Sequence, residues 1–212
     1  MTLSRRMMMR GAVAVAGAAS AVPALAQRGR AVALPDDPAG MVATLTDAVY
    51  INSNEHPVGP GPAALAALAT LPPLSGRYGM AFAGKLESLF ARQNGLSPEQ
   101  VQVHPGSFMP LRSVALTYST PERPIAYFEP TFDQGFLGPG NDSVTRSVAV
   151  PLAGDFRADP KKLLAAAPDA GVYYLCNPNN PTGLVTARGD IEWLLAHKPR
   201  GSILLVDEAY IQ

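Results

Sequence analysis

Short apolar runs and amphipathic stretches take turns along the second half of the chain. Residues 125–128, 144–152, 171–175 and 202–206 are brief and rich in Val, Ile, Leu, Tyr and Phe, bounded by Gly, Pro, Asp or Asn, which predicts buried strands. Between the last three lie stretches with helical spacing. Residues 159–167 open on Asp159-Pro160 with lysines in the first turn, and residues 186–197 carry Ile191, Trp193 and Leu194. Upstream, Ala63, Leu65, Ala66 and Leu68 begin one helix; residues 80–94 form another, with Phe82, Leu86, Leu89 and Phe90 on one face and Gly95 as its stop. Residues 101–103 read as a short strand, and an apolar helical stretch then runs through Val114 and Leu116. Strand and helix alternating at this spacing predict an α/β fold, a largely parallel sheet with helices on both faces and right-handed crossovers.

In such a sheet the carboxyl ends of the strands share one rim, where ligands bind. Phe132, Asn180, Asp207 and Tyr210 all fall there, just past apolar runs. An acid at the end of a buried strand is costly unless it meets a cation or hydrogen-bond donors, so Asp207 calls for a partner. Tyr210 brings a phenol, Asn180 an amide and Phe132 a ring face. His104-Pro105-Gly106-Ser107-Phe108-Met109 precedes a helix, whose first backbone N–H groups and positive dipole end can cradle a phosphate. Each residue also has a plain reading. Asp207 caps the next segment, Tyr210 and Phe132 are core, Asn180 holds an Asx turn, Ser107 is an ordinary N-cap and His104 a surface residue. Taken together they suit a flat, phosphorylated heteroaromatic with a protonatable ring nitrogen and a phenolic oxygen, a description that pyridoxal 5′-phosphate meets.

Composition narrows the partners. With 17 basic and 17 acidic side chains in 212 residues, no charge excess calls for nucleic acid. The single cysteine, Cys176, excludes an intrachain disulfide and a multi-cysteine metal site, and no metal is expected. Residues 1–26 read as an address. Ser4-Arg5-Arg6-Met7-Met8-Met9-Arg10 resembles a twin-arginine signal, residues 11–25 are too short for a spanning helix, and Ala24-Leu25-Ala26 is a cleavage site. Export to the periplasm with cleavage after Ala26, and no stable membrane anchor, is the expectation. Residues 27–75 are expected to be a linker and lead-in segment, and residues 76–212 part of a large cofactor-binding domain.

Asn177-Pro178-Asn179-Asn180-Pro181-Thr182-Gly183 together with Asp207-Glu208-Ala209-Tyr210 resembles the paired signature of fold type I, class I/II pyridoxal phosphate aminotransferases, nearest to the histidinol-phosphate aminotransferase branch. Asn54-Glu55-His56-Pro57-Val58-Gly59-Pro60 is similar to that branch's N-E-N-P-x-G-P segment, Arg77-Tyr78 to its R-Y-P and Pro130-Thr131-Phe132 to its P-T-Y. The resemblance implies that Asn180 and Tyr210 hydrogen-bond the cofactor's phenolic oxygen, Asp207 pairs with the protonated pyridine nitrogen and Phe132 stacks on the ring. It implies further that the backbone of Gly106, Ser107 and Phe108 holds the phosphate, that Tyr78 reaches the phosphate of the neighbouring subunit in a homodimer, and that Asn54 and Gly59 lie toward the substrate. Asn177 and Asn179 are expected to satisfy local backbone. Phe108-Met109 stand where the branch usually has Asp-Glu, which leaves the backbone amides to do the work.

The family's Schiff-base lysine and substrate-carboxylate arginine lie past the D-E-A-Y segment. Lys85, Lys161, Lys162 and Lys198 match no such position, so the chain is expected to be an N-terminal fragment, inactive as it stands, with that lysine beyond Gln212. The implied activity of the whole is transfer of an amino group from an amino acid or amine to a 2-oxo acid. The alternatives are decarboxylation or C–S lysis with the same cofactor, or a non-catalytic cofactor-binding protein.

Overall fold

The computed structural model describes residues 53–56, 58–137 and 143–211. The chain divides into two compact units, Met1–Gly76 and Arg77–Gln212. In the first, α1 (Pro62–Ala69) starts on a proline whose missing N–H costs a first turn nothing, and Pro72–Leu74 forms a 3-10 turn.

The second unit opens with α2 (Met80–Asn94), ended by Gly95 in the left-handed conformation at φ +67° as a C-cap. Its predicted apolar face is half-exposed among the described residues: Phe82, Leu86, Leu89 and Phe90 keep contact with solvent, and only Ala91 is buried. The strand expected at 101–103 is absent. A strand needs a ladder partner, and none of the described strands pairs with it; instead the Val103 N–H donates to Glu87 Oε1 at 3.1 Å.

Beyond it come α3 (Phe108–Tyr118), β1 (Ile125–Glu129), β2 (Ser147–Pro151), α4 (Pro160–Ala166), β3 (Val172–Cys176), α5 (Arg188–His197) and β4 (Ile203–Asp207). The strands form one parallel sheet in the order β2-β1-β3-β4. β2 is shorter than the predicted 144–152, because residue 143 bridges back to Leu137 before the ladder begins. Asp159 caps α4 by accepting from the N–H groups of Lys161 and Lys162. The peptides before Pro130, Pro178 and Pro181 are cis.

The alternation of side chains along β1 and β3 sorts the core into two layers. Ile125, Tyr127, Val172, Tyr174 and Cys176 pack with Leu111 and Ala115 of α3, while Ala126, Phe128, Tyr173 and Leu175 pack with Leu163 of α4 and Leu194 of α5. Helices therefore cover both faces, as expected. Two glycines set the tilt of α3. A Cβ on Gly171, just before β3, would collide with the Tyr118 carbonyl oxygen at the end of α3, and one on Gly135, past β1, would collide with Leu111 near its start. The helix thus runs antiparallel to the strands, and its N-terminus lies at their carboxyl rim.

Candidate functional site

Asp207 is the last residue of β4, opposite Cys176 in the β3–β4 register. It shares parity with Leu205, which packs on the α3 side, so its side chain belongs to that face. The carboxylate is buried, at 7% exposure. Its Oδ2 accepts from the Tyr174 phenol at 3.1 Å and its Oδ1 from the Ala209 N–H at 3.1 Å. No cation pairs with it among the described residues, whose ion pairs are Arg157–Asp155 and Arg188–Glu192, both exposed. A carboxylate offers about four lone-pair positions, and two neutral donors leave about two open, best satisfied by a cation. Tyr174 is fully buried, and burial, with Cys176 and Asp207 after it, pushes its phenol far above the ordinary range, so it is a donor at any working pH. Burial also pushes the Cys176 thiol up, which keeps it neutral beside Asp207.

The loop after β3 delivers Asn180. Its N–H donates to Cys176 Sγ at 3.4 Å, and its side-chain amide donates to the Tyr210 hydroxyl at 3.5 Å, so the two groups expected to meet one oxygen lie side by side. Asn177 is buried and accepts from the Thr186 N–H at 2.8 Å. Asn179 departs from the expectation of a purely local role. Its Oδ1 accepts from Thr131 at 2.7 Å, and its Nδ2 donates to the Pro130 carbonyl at 3.1 Å and to Thr182 at 3.0 Å. It therefore ties the end of β1 to the β3 loop, fixing Phe132 relative to Asn180. Phe132 is half-buried against the α3-side core.

Gly106, Ser107 and Phe108 form the exposed start of α3, on the same rim. Gly106 has φ +90°, and a Cβ there would meet nothing within 4 Å, so its freedom serves the backbone turn. The Ser107 side chain makes no cap bond, and the N–H groups of Ser107, Phe108 and Met109 donate to nothing among the described residues, which leaves three donors at the positive end of an 11-residue helix.

Tyr78 is 98% exposed and makes no contact with this group. Asn54 and Gly59 belong to the first unit, with left-handed φ of +55° and +63°. Lys161 and Lys162 are exposed in the first turn of α4, the helix that packs on the opposite core layer, Lys85 lies on α2, and Lys198 donates to the Ser202 carbonyl at the amino end of β4. Tyr174 was not singled out from sequence. An apolar strand hides a polar tip, and only the register with β4 reveals what that tip meets.

The family described as "Aminotransferase class I and II" matches residues 46–212. A histidinol-phosphate aminotransferase of Symbiobacterium thermophilum is 34% identical over 166 residues, 78% of this chain and 46% of the relative. An aromatic amino acid aminotransferase of Nocardia farcinica is 32% identical over 167 residues, again 78% and 46%. The solved histidinol-phosphate aminotransferase of Sinorhizobium meliloti, in complex with pyridoxal-5′-phosphate, aligns with a TM-score of 0.64 at 26% identity, covering 75% of this chain and 43% of that one. The chain spans about half the length of the curated relatives it matches.

Proposed function

The chain belongs to the aminotransferase class I and II family, and from that premise we propose that it supplies the cofactor grip of a pyridoxal phosphate-dependent aminotransferase. The observation that carries the reading is the buried Asp207 carboxylate without a cationic partner among the described residues, beside the Asn180–Tyr210 pair. The kinds of donor and acceptor present fit the group. Asp207 has an open position for a pyridinium N–H, Asn180 and Tyr210 offer an amide and a phenol for the ring oxygen, and Phe132 gives an apolar cover. The three N–H groups at the start of α3 suit a phosphate dianion. When bound, the group supplies an electron sink for negative charge on the carbon bearing the substrate's amino group.

The chain's own contribution is to hold a proton on the ring nitrogen through Asp207, to fix the ring's tilt through Phe132 and Asn179, and to anchor the phosphate through backbone. The donor substrate is an amino acid or amine and the acceptor a 2-oxo acid. The whole protein works as a homodimer, in which the exposed Tyr78 reaches the neighbouring subunit's phosphate and Asn54 and Gly59 serve the substrate side. It is exported, with cleavage after Ala26; residues 1–26 lie outside the described residues, and the reading rests on their Arg5-Arg6, apolar and Ala24-Leu25-Ala26 order.

Pyridoxamine 5′-phosphate tests the grip, because it needs no lysine. Saturable binding by the 212-residue chain, lost in Asp207→Ala, is the expected result; no binding at millimolar probe refutes the reading. Fractionation with intact-mass measurement tests export, and an uncleaved cytosolic protein would remove that part alone.

A further inference from the structure

Resting on that reading, we infer that Tyr174 is a positioning residue for Asp207: by donating to Oδ2 it fixes the carboxylate's orientation and leaves an open lone pair for a pyridine nitrogen's N–H, so that a proton shared with that nitrogen resides on the nitrogen. Donors to a carboxylate orient it and bond it more strongly than they would a neutral acid. Asp207 has two. The Ala209 N–H belongs to the backbone of the following turn, while the Tyr174 phenol comes from the neighbouring strand at 3.1 Å and can be deleted without touching the main chain.

The phenol's aim is set by packing. Tyr174 is fully buried, its ring and that of Phe136 meet edge to face at 5.0 Å and 69°, and Phe136 in turn packs on Tyr127. The β3–β4 register puts Tyr174 opposite Leu205 and Cys176 opposite Asp207, all on the α3 face. Among the described residues, the other titratable groups in this layer are Cys176, which also interacts with the Tyr174 phenol, and Tyr127. Leu111 and Ala115 are what α3 brings, Cys176 is a neutral thiol, and burial and the charges of Glu129 and Asp133 push the Tyr127 phenol up as well. With Oδ2 engaged by a donor that does not give up its proton, transfer from a pyridinium to Asp207 would leave the Tyr174 hydrogen bond on a neutral acid, a weaker acceptor. That difference favours the ion pair.

Tyr173 provides the control. It is the next residue, equally buried, and its hydroxyl donates to the Ala167 carbonyl at 2.6 Å on the other face of the sheet. The test uses the 212-residue chain and pyridoxamine 5′-phosphate labelled with nitrogen-15 in the ring, reading affinity from probe fluorescence and proton location from the nitrogen chemical shift. Asp207→Asn calibrates the unprotonated limit. Tyr174→Phe is expected to weaken binding about tenfold and to move the shift toward that limit. Tyr173→Phe is expected to lower the melting temperature and leave both readings unchanged. An analogue with C–H in place of the ring nitrogen should bind wild type and Tyr174→Phe alike.

If Tyr174→Phe does not fold, 3,5-difluorotyrosine at position 174 keeps the packing and strengthens the donor, and its shift should stay at the pyridinium end with equal or tighter binding. An unchanged shift and affinity in Tyr174→Phe, loosened binding in the difluoro form, or equal losses in Tyr173→Phe would overturn the inference and leave the proposed function standing. No probe binding by wild type would overturn the proposed function, and this inference with it.

Discussion

The two faces of the sheet use the same materials for different ends. On the α4/α5 side, Tyr173 directs its hydroxyl to a backbone carbonyl, and Leu163 and Leu194 close the layer. On the α3 side, Tyr174 directs its hydroxyl to a carboxylate that lacks a counter-ion among the described residues. Both phenols are pushed up from their usual range by burial, Tyr173 to about 12. Burial and residue type are therefore equal across the sheet, and what separates them is the acceptor. A carbonyl is satisfied by one donor and the matter ends there. A buried carboxylate with spare lone pairs is a standing cost to folding, the mark of a group kept for a ligand.

That contrast is broken most directly by exchanging effects. Asp207→Asn should weaken pyridoxamine phosphate binding about 100-fold, the scale of losing one partner of a buried charge pair, while thermal denaturation shows equal or higher stability. Leu163→Ala should do the reverse, costing about 3 kcal/mol in chemical denaturation with affinity unchanged in the folded fraction. If Asp207→Asn destabilises as much as Leu163→Ala, the α3 face is ordinary core and the functional reading of Asp207 fails.

Asn179 lies at the rim where the loops meet, and sharpens the contrast next. Two of its three side-chain hydrogen bonds join the end of β1 to the β3 loop and the third, to Thr182, holds the loop itself, so Asn179→Ala should cost about tenfold in affinity and about 1 kcal/mol in stability. Calorimetry and probe titration on one preparation give both values. Asp159→Ala removes the α4 N-cap, for about 1 kcal/mol in stability and no change in affinity.

Much of this was legible in the sequence for a physical reason. β1, β3 and β4 are local apolar runs bounded by turn residues, and the caps Gly95 and Asp159 act over a few residues. The placing of Asn180, Asp207 and Tyr210 at strand ends was legible because strand ends in a parallel sheet share one rim. What was not legible depends on register or on a distant partner. Tyr174 reads as core until β4 is laid beside β3, Asn179 reads as a local turn residue until Thr131 is brought against it, and residues 101–103 have strand chemistry but no described strand to pair with.

The smallest expected effect concerns Phe132, where the resembling family more often has tyrosine. Its ring is half-buried against the α3-side layer, and its proposed role is to cover a flat ring with an apolar face. Stacking depends on the face and very little on a hydroxyl at the edge, so Phe132→Tyr should change pyridoxamine phosphate affinity less than about twofold. Phe132→Ala removes the face and should cost about tenfold, the upper part of the range for an aromatic pair. A Phe132→Tyr effect as large as that of Phe132→Ala would mean that position 132 needs an apolar edge, which places the residue in the core layer and takes it away from the cofactor.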